Sequence, residues 1–283
     1  MVVVLIVLAL AFSQARPNSG LRVVFLDVGQ GDCAFVTTAS GKTILIDGGG
    51  KPAEDEDTIG MKIVEPFLRS QGVNRIDMIV LSHPHDDHIR GLLCVLHDFR
   101  VGSVIEPHIP HNSKSYREFL KIVRERNITY RIAVRGQRID FGDGTSAEVL
   151  NPPMPKLNGT RDDVNNNSCV IRFKYRGRSV LFTGDAGIEA EKDILSTGRA
   201  LGSDVIKIGH HGSSTATGAE FLDAVHPKIA VISVGKYNHF GHPCPSIVRR
   251  LLDRGIKVYR TDRDGSLVME ITGRKTVIQR VMR

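Results

Sequence analysis

Cysteine is scarce in this 283-residue chain: Cys33, Cys94, Cys169 and Cys244 are all there are, and no two form a Cys-x-x-Cys pair. That excludes a zinc-knuckle scaffold, and the spacing favours none of the three ways in which four cysteines could pair. Small or apolar residues adjoin each, so buried free thiols are the simplest reading. Also missing are a low-complexity tract, a coiled-coil repeat or a linker that would divide the chain, and we expect one domain over residues 21–283. No apolar run approaches the roughly twenty residues that span a bilayer. The longest, Val2 to Phe12, has eleven residues with no Lys or Arg before it. Its length suits the h-region of a signal peptide with a Ser13-x-Ala15 cleavage site; the tail of a membrane segment and a core strand are the alternatives. We expect residues 1–20 to be a signal peptide or membrane-proximal segment. The protein is then extracytoplasmic, either secreted or associated with a membrane through its N-terminus.

What is present describes an ordinary globular protein, 41% hydrophobic and 24% charged. An excess of 38 basic over 31 acidic residues gives a net charge of +7, which favours anionic partners such as DNA or an envelope polymer. One stretch stands apart. Ser82-His83-Pro84-His85-Asp86-Asp87-His88 follows the apolar run Ile76 to Leu81. Three imidazoles and two carboxylates in six residues gain nothing from packing, so the pattern points to metal binding. His83 and His85 can face one ion from an extended loop, while Asp87 and His88 can face a second from the start of the next helix. Two ions about 3.5–4 Å apart would activate a water and stabilise both oxygens of a displacement.

Along the chain, strands are expected at Leu21–Val28, Cys33–Thr38 and Thr43–Ile46. Asp47 and three glycines follow, a place where backbone can approach something closely and a carboxylate can orient a metal-binding histidine. Helical spacing runs from Thr58 to Arg69, from Ile89 to Phe99 and from Ser115 to Arg126. The last carries a basic face of Lys114, Arg117, Lys121, Arg124 and Arg126. His108 and His111 lie in a Pro-rich loop that could border a cleft, and we leave them out of the metal set. Residues 162–167 read as a polar loop before a hairpin of Ser168–Tyr175 and Ser179–Thr183. Asp185 and the twin His210-His211 each stand at a strand end, where they could join the same metal site. His242, held between Gly241 and Pro243, could protonate a leaving group or hold a phosphate.

With these residues located, the chain resembles the metallo-β-lactamase superfamily, and within it the C-terminal hydrolase domain of the ComEC DNA-uptake (competence) channel and its stand-alone relatives. The resemblance covers Leu21 to about Ile271. It is carried by Leu26 to Asp32, Ile46 to Gly49, the His83 to His88 loop, Asn165 to Ser168, Thr183-Gly184-Asp185, His210 to Ser213, and Ile232 to Gly235 leading to Gly241-His242-Pro243. It implies an α/β fold, an αββα sandwich of two mixed sheets packed face to face with helices outside. It also implies two divalent ions, zinc or manganese. His83 and His85 would hold one, Asp87 and His88 the other, Asp185 would bridge them, and His211 would join the second, with Asp47 behind a ligand. Many members carry a further histidine where this chain has Asn165-Asn166-Asn167-Ser168. That leaves an open, oxygen-rich side for substrate.

These readings converge on a metal-dependent hydrolase of phosphodiesters, most directly DNA, working as a monomer. Asp87, His210 and His242 are the expected catalytic residues, and Asn167, Ser168 and Arg90 the expected substrate contacts. An extracytoplasmic phosphocholine or teichoic-acid esterase uses the same ions and is the nearest rival. A DNA-binding module with a vestigial site is the non-enzymatic alternative.

Overall fold

The structure, a computed structural model, describes residues 20–50 and 59–281. The N-terminal apolar run, and with it the expected leader, lies outside the described residues, as does Thr58, the expected start of the first helix.

Eight strands form one mixed sheet: β1 (Leu21–Phe25), β2 (Ala34–Thr37), β3 (Thr43–Ile46), β4 (Arg75–Val80), β5 (Arg100–Glu106), β6 (Thr129–Ile132), β14 (Ser266–Ile271) and β15 (Thr276–Val281), in the order 15-14-1-2-3-4-5-6. Seven form the other: β7 (Arg138–Asp140), β8 (Thr145–Asn151), β9 (Val170–Tyr175), β10 (Arg178–Phe182), β11 (Val205–Lys207), β12 (Ile229–Ile232) and β13 (Lys257–Arg260), in the order 13-12-11-10-9-8-7. In each sheet an antiparallel half adjoins a parallel half, β3 to β6 in the first and β10 to β13 in the second.

The period-2 geometry of a strand explains the layers. Val23, Phe25, Ile44 and Ile46 point between the sheets and meet Ile171, Phe173, Val180 and Phe182. Their sequence neighbours Val24 and Leu45, and Phe35 between Ala34 and Val36, point the other way, into a second apolar layer. There they meet α1 (Glu65–Ser70), α2 (Asp86–Asp98) and α3 (Lys114–Glu125). A third layer covers the second sheet with α5 (Ile188–Ser196), α6 (Ala219–Val225) and α7 (Pro245–Asp253). Strands buried on both faces read as continuous apolar runs, which is why the central ones are legible in sequence. The result is the expected four-layer sandwich. A π-helical turn, Gly60–Val64, precedes α1, and the single turns α4 (Asp163–Asn166) and α8 (Thr261–Asp264) and a 3-10 turn, Gly209–Gly212, complete the helices among the described residues.

Three local readings change. Residues 162–167 form the turn α4 rather than open loop, with Asp162 capping it by accepting from the Asn165 amide at 3.0 Å. Arg126 leaves the basic face of α3: its guanidinium donates to the Leu96, His97 and Phe99 carbonyls at the end of α2. Helix α5 and strands β6 to β8 lie outside the elements read from the sequence.

Candidate metal centre

The carboxyl ends of the parallel strands of both sheets meet at one edge, where open α/β sheets place their ligands. Strand β3 delivers Asp47 there, and β4 delivers Ser82 and the histidine loop. The close approach anticipated after Asp47 is to α2. The Gly48 amide donates to the His88 carbonyl at 2.7 Å, and the Gly91 amide donates to Gly49 at 3.0 Å. A Cβ on Gly48 would lie 2.5 Å from the Leu92 nitrogen, and one on Gly91 would lie 2.0 Å from the Gly48 oxygen. Glycine on both sides is therefore what lets the loop rest directly on the helix that carries His88.

That contact sets the Asp47 carboxylate behind the histidines. It accepts from the Ser82 amide and the Ser82 hydroxyl, each at 2.7 Å, and faces His88 Nδ1 at 2.9 Å. His88 Nε2 is left pointing inward, 3.4 Å from Asp185 Oδ2. On the opposite side His211 Nδ1 faces the Ser233 carbonyl at 3.0 Å, and its Nε2 lies 3.3 Å from Asp87 Oδ2 and 3.4 Å from Asp185 Oδ2. His210 and His211 reach these places with φ of 48° and 54°, left-handed backbone that lets two successive imidazoles diverge. Asp87, His88, Asp185 and His211 thus present four ligand atoms within 4.8 Å of one another. Beside them His83 Nε2 and His85 Nδ1 converge to 3.1 Å, with His83 Nε2 3.9 Å from Asp185 Oδ2.

The donor set fits divalent cations. His88 Nε2, His211 Nε2 and Asp185 Oδ1 are buried without a hydrogen-bond partner, an arrangement that is costly unless a cation satisfies them. The electrostatics agree. Burial alone would lower His88, yet Asp185, Asp87 and Asp47 raise it well above the ordinary histidine value. Burial opposes ionisation of Asp185 too, but His211 and His88 hold it well below the usual carboxylate range. His83 is the contrast: burial, then His88, push it well down, so it is a neutral imidazole with a lone pair to offer.

Two residues at this site escaped the sequence reading. Lys207, 3% exposed, ends β11 with its ammonium against Asp32, 3.1 Å from the Gly184 carbonyl and 3.8 Å from Asp185 Oδ1. Burial would depress its pKa, but Asp32 and Asp185 raise it, so the cation persists. Asp32 also stands 3.4 Å from His211 Nδ1. A lone Lys in an apolar strand and an Asp after Gln30-Gly31 were the available signals.

A cleft of about 330 Å³ opens beside the ligand cluster, lined by Arg161, Asn165, Asp185, His210, Ser213 and His242 among others. His210 Nε2 lies 3.8 Å from Asp185 Oδ2, and the rings of His210 and His242 are 5.8 Å apart. Burial, together with His210 and His211, lowers His242 to about 4. It is neutral at pH 7, so the proton expected of a general acid is not standing on it.

The expected substrate contacts are corrected in part. Asn167, 2% exposed, accepts from the Leu157 amide at 2.9 Å and donates to the Leu157 and Asp163 carbonyls at 2.8 and 2.7 Å, so its amide is spent on the loop. Ser168 is fully buried, its hydroxyl accepting from the Asp185 amide at 3.2 Å; it places Asp185 rather than substrate. Asn165 takes the position facing the cleft, with a buried Oδ1 that has no hydrogen-bond partner. Arg90 lies on α2 with Nη1 4.0 Å from Asp86 Oδ2 and does not line this cleft. His111, left out of the metal set, has its ring 5.5 Å from that of His85, so its loop borders the histidine motif.

Fold and site together define a metallo-hydrolase architecture. The chain belongs to the metallo-beta-lactamase superfamily, whose family model matches residues 26–236. It is similar to ComE operon protein 3 of Bacillus subtilis, at 31% identity over 92% of this chain and 34% of that protein. It is similar also to Competence protein ComA of Neisseria gonorrhoeae, at 32% identity over 90% of this chain and 33% of that protein. The chain therefore spans about a third of the length of these relatives. Among solved structures, Igni18, a metallo hydrolase from Ignicoccus hospitalis, shares the fold with a TM-score of 0.55 at 16% identity, covering 92% of this chain and 100% of that one.

Proposed function

We propose that this chain is a metal-dependent phosphodiesterase that cleaves DNA, using two divalent ions, zinc or manganese. The observation that carries the reading is the seating of His210 and His242 in a polar cleft directly against Asp185, the carboxylate shared by both halves of the ligand cluster. The +7 net charge and the similarity to a competence protein favour DNA as the phosphodiester. The same similarity supports action at the cell envelope, outside the cytoplasm.

In this reading His83, His85 and Asp185 would hold one ion, and Asp87, His88, Asp185 and His211 would hold the other. Ions bound there would supply Lewis acidity, bringing the pKa of a water toward about 7 and offsetting charge on the phosphoryl oxygens. The protein's own groups do the rest. Asp47 fixes the tautomer of His88, with the proton on Nδ1 and the lone pair directed inward. Ser168 pins the Asp185 backbone, and Lys207 keeps Asp32 compensated beneath the cluster. Ser213 and His210 offer donors to the non-reacting phosphoryl oxygens. His242, neutral before substrate arrives, donates one N–H to the phosphate and takes up a second proton only as negative charge accumulates beside it.

The test is hydrolysis by manganese- and zinc-loaded protein of linear DNA, of a small phosphodiester and of a β-lactam, with Asp185→Ala as the control. Cleavage of DNA and of the small ester, both lost in the variant, is the expected result. An Asp185-dependent activity on the small ester without DNA cleavage would replace the nuclease with an envelope esterase. DNA binding that survives joint His83→Ala and His85→Ala, in a protein holding only trace metal, would replace the enzyme with a binding module.

A further inference from the structure

Among the described residues six large apolar side chains are exposed, and the two that share the loop carrying His242, Tyr237 and Phe240, are so by 84% and 66%. Exposed rings on a pliant loop would mean little. This loop is stapled: Asn238 Nδ2 donates to the Gly235 and His242 carbonyls at 2.8 and 2.7 Å, while its Oδ1 accepts from the Phe240 and His242 amides at 3.2 and 3.0 Å. Its base is tied by the Gly235 amide to Gln30 Oε1 at 3.2 Å and by the Cys244 amide to Gly212 at 2.8 Å. The rings are presented to solvent by a rigid frame.

Their placement continues the site. Phe240 lines the cleft and lies over His242, ring centroids 5.7 Å apart and planes 22° from parallel. His242 in turn adjoins His210, which faces Asp185. A series of rings thus leads from the ligand cluster to the rim and ends in an uncovered aromatic face. Tyr237 is not in the lining and has Lys236 Nζ 5.6 Å from its ring centre, while Arg161 borders the cleft beside Asp162 and Glu189. Aromatic faces beside cationic side chains are what an unpaired nucleic-acid strand uses, since every base has a π-face to stack and every link a phosphate to neutralise.

We propose that Phe240, with Tyr237 outside it, is a stacking platform for the nucleobase next to the scissile phosphodiester, and that it makes unpaired strands the preferred substrate. This rests on the phosphodiesterase reading of the same site. A base held in a duplex is already stacked on its neighbours and cannot occupy the platform without being unpaired first.

The experiment uses manganese-loaded protein and three end-labelled DNAs of one length: a single strand with bases, a single strand of abasic residues, and a blunt duplex. Wild type should cleave the base-bearing strand best. Phe240→Ala should lower kcat/KM on that strand roughly 5- to 150-fold more than it lowers kcat/KM on the abasic strand. Phe240→Tyr should restore the preference, and Tyr237→Ala should show a smaller loss of the same kind. Equal cleavage of base-bearing and abasic strands by wild type removes the platform and leaves the nuclease standing. So does an equal loss on both strands in Phe240→Ala, which would mark the ring as loop structure. Hydrolysis of a small phosphodiester with none of the three DNAs cut removes the nuclease reading and the platform together.

Discussion

Replacing Asp47 with Asn tests how the ligands are held. Asp47 sits in left-handed backbone, φ 55°, which Asn also adopts readily, so the backbone has little reason to move. The amide can keep one acceptor for the Ser82 N–H, but its other end becomes an NH₂ group facing the Ser82 hydroxyl and His88 Nδ1. His88 Nδ1 must then accept, which forces the ring proton onto Nε2, the nitrogen 3.4 Å from Asp185 that points into the cluster. A protonated Nε2 cannot ligate. Loss of an outer partner of this kind weakens metal binding by about 10- to 100-fold, or ~1.4–2.7 kcal/mol. Competition titration against a chromophoric chelator would read it directly, with a circular dichroism spectrum confirming that the variant is folded. An Asp47→Asn protein that binds manganese or zinc as tightly as wild type would refute the role given to this carboxylate.

Three other outcomes follow from the same geometry. In metal-free protein His88 and His211 have folded pKa values above their unfolded ones, so the stability they contribute is full below about pH 6.5 and is lost as pH rises through the raised values. Melting temperature in EDTA should therefore fall as pH rises above about 6.5, while metal affinity rises by up to about tenfold per pH unit for each proton displaced; a flat profile in both would contradict it. Asn167→Ala removes three loop hydrogen bonds and leaves buried groups unpaired, at a cost of about 1–3 kcal/mol in urea unfolding with KM on DNA unchanged; a raised KM without destabilisation would return Asn167 to the substrate. Lys207→Met strands the buried Asp32 carboxylate and should cost about 3–5 kcal/mol, and Lys207→Met with Asp32→Asn should recover part of that; equal losses in the single and double variants would show that the pair is not coupled.

How legible each part was depends on whether a residue's role is local. The His83 to His88 loop is legible because so many polar groups after an apolar strand have no packing use, and Asp185 and the His210-His211 pair follow because strand ends converge at one edge, with the choice of His211 resting on the family resemblance. The sandwich is legible for a similar reason: Val24 and Phe25 are both apolar because one faces helices and the other the opposite sheet. Asp32 and Lys207 become partners only when the β1–β2 turn of one sheet meets the end of β11 in the other, and no spacing in the chain announces that. Asn167 and Ser168 stand beside the site in sequence, but a polar side chain there can either face substrate or staple the loop. Only the backbone path decides, and it sets Asn165 against the cleft in their place. Strands β6 and β7 are short and largely exposed over Thr129 to Asp140, so they lack the apolar run that reveals the central strands.

The central claim is a two-ion centre built on one shared carboxylate. Metal stoichiometry by native mass spectrometry, on protein loaded with manganese or zinc and on Asp185→Ala treated identically, tests it most directly. The account predicts two ions per chain in wild type and loss of both, or of all but one weakly held ion, in the variant. One ion or none in wild type, or two that survive removal of Asp185, would contradict it.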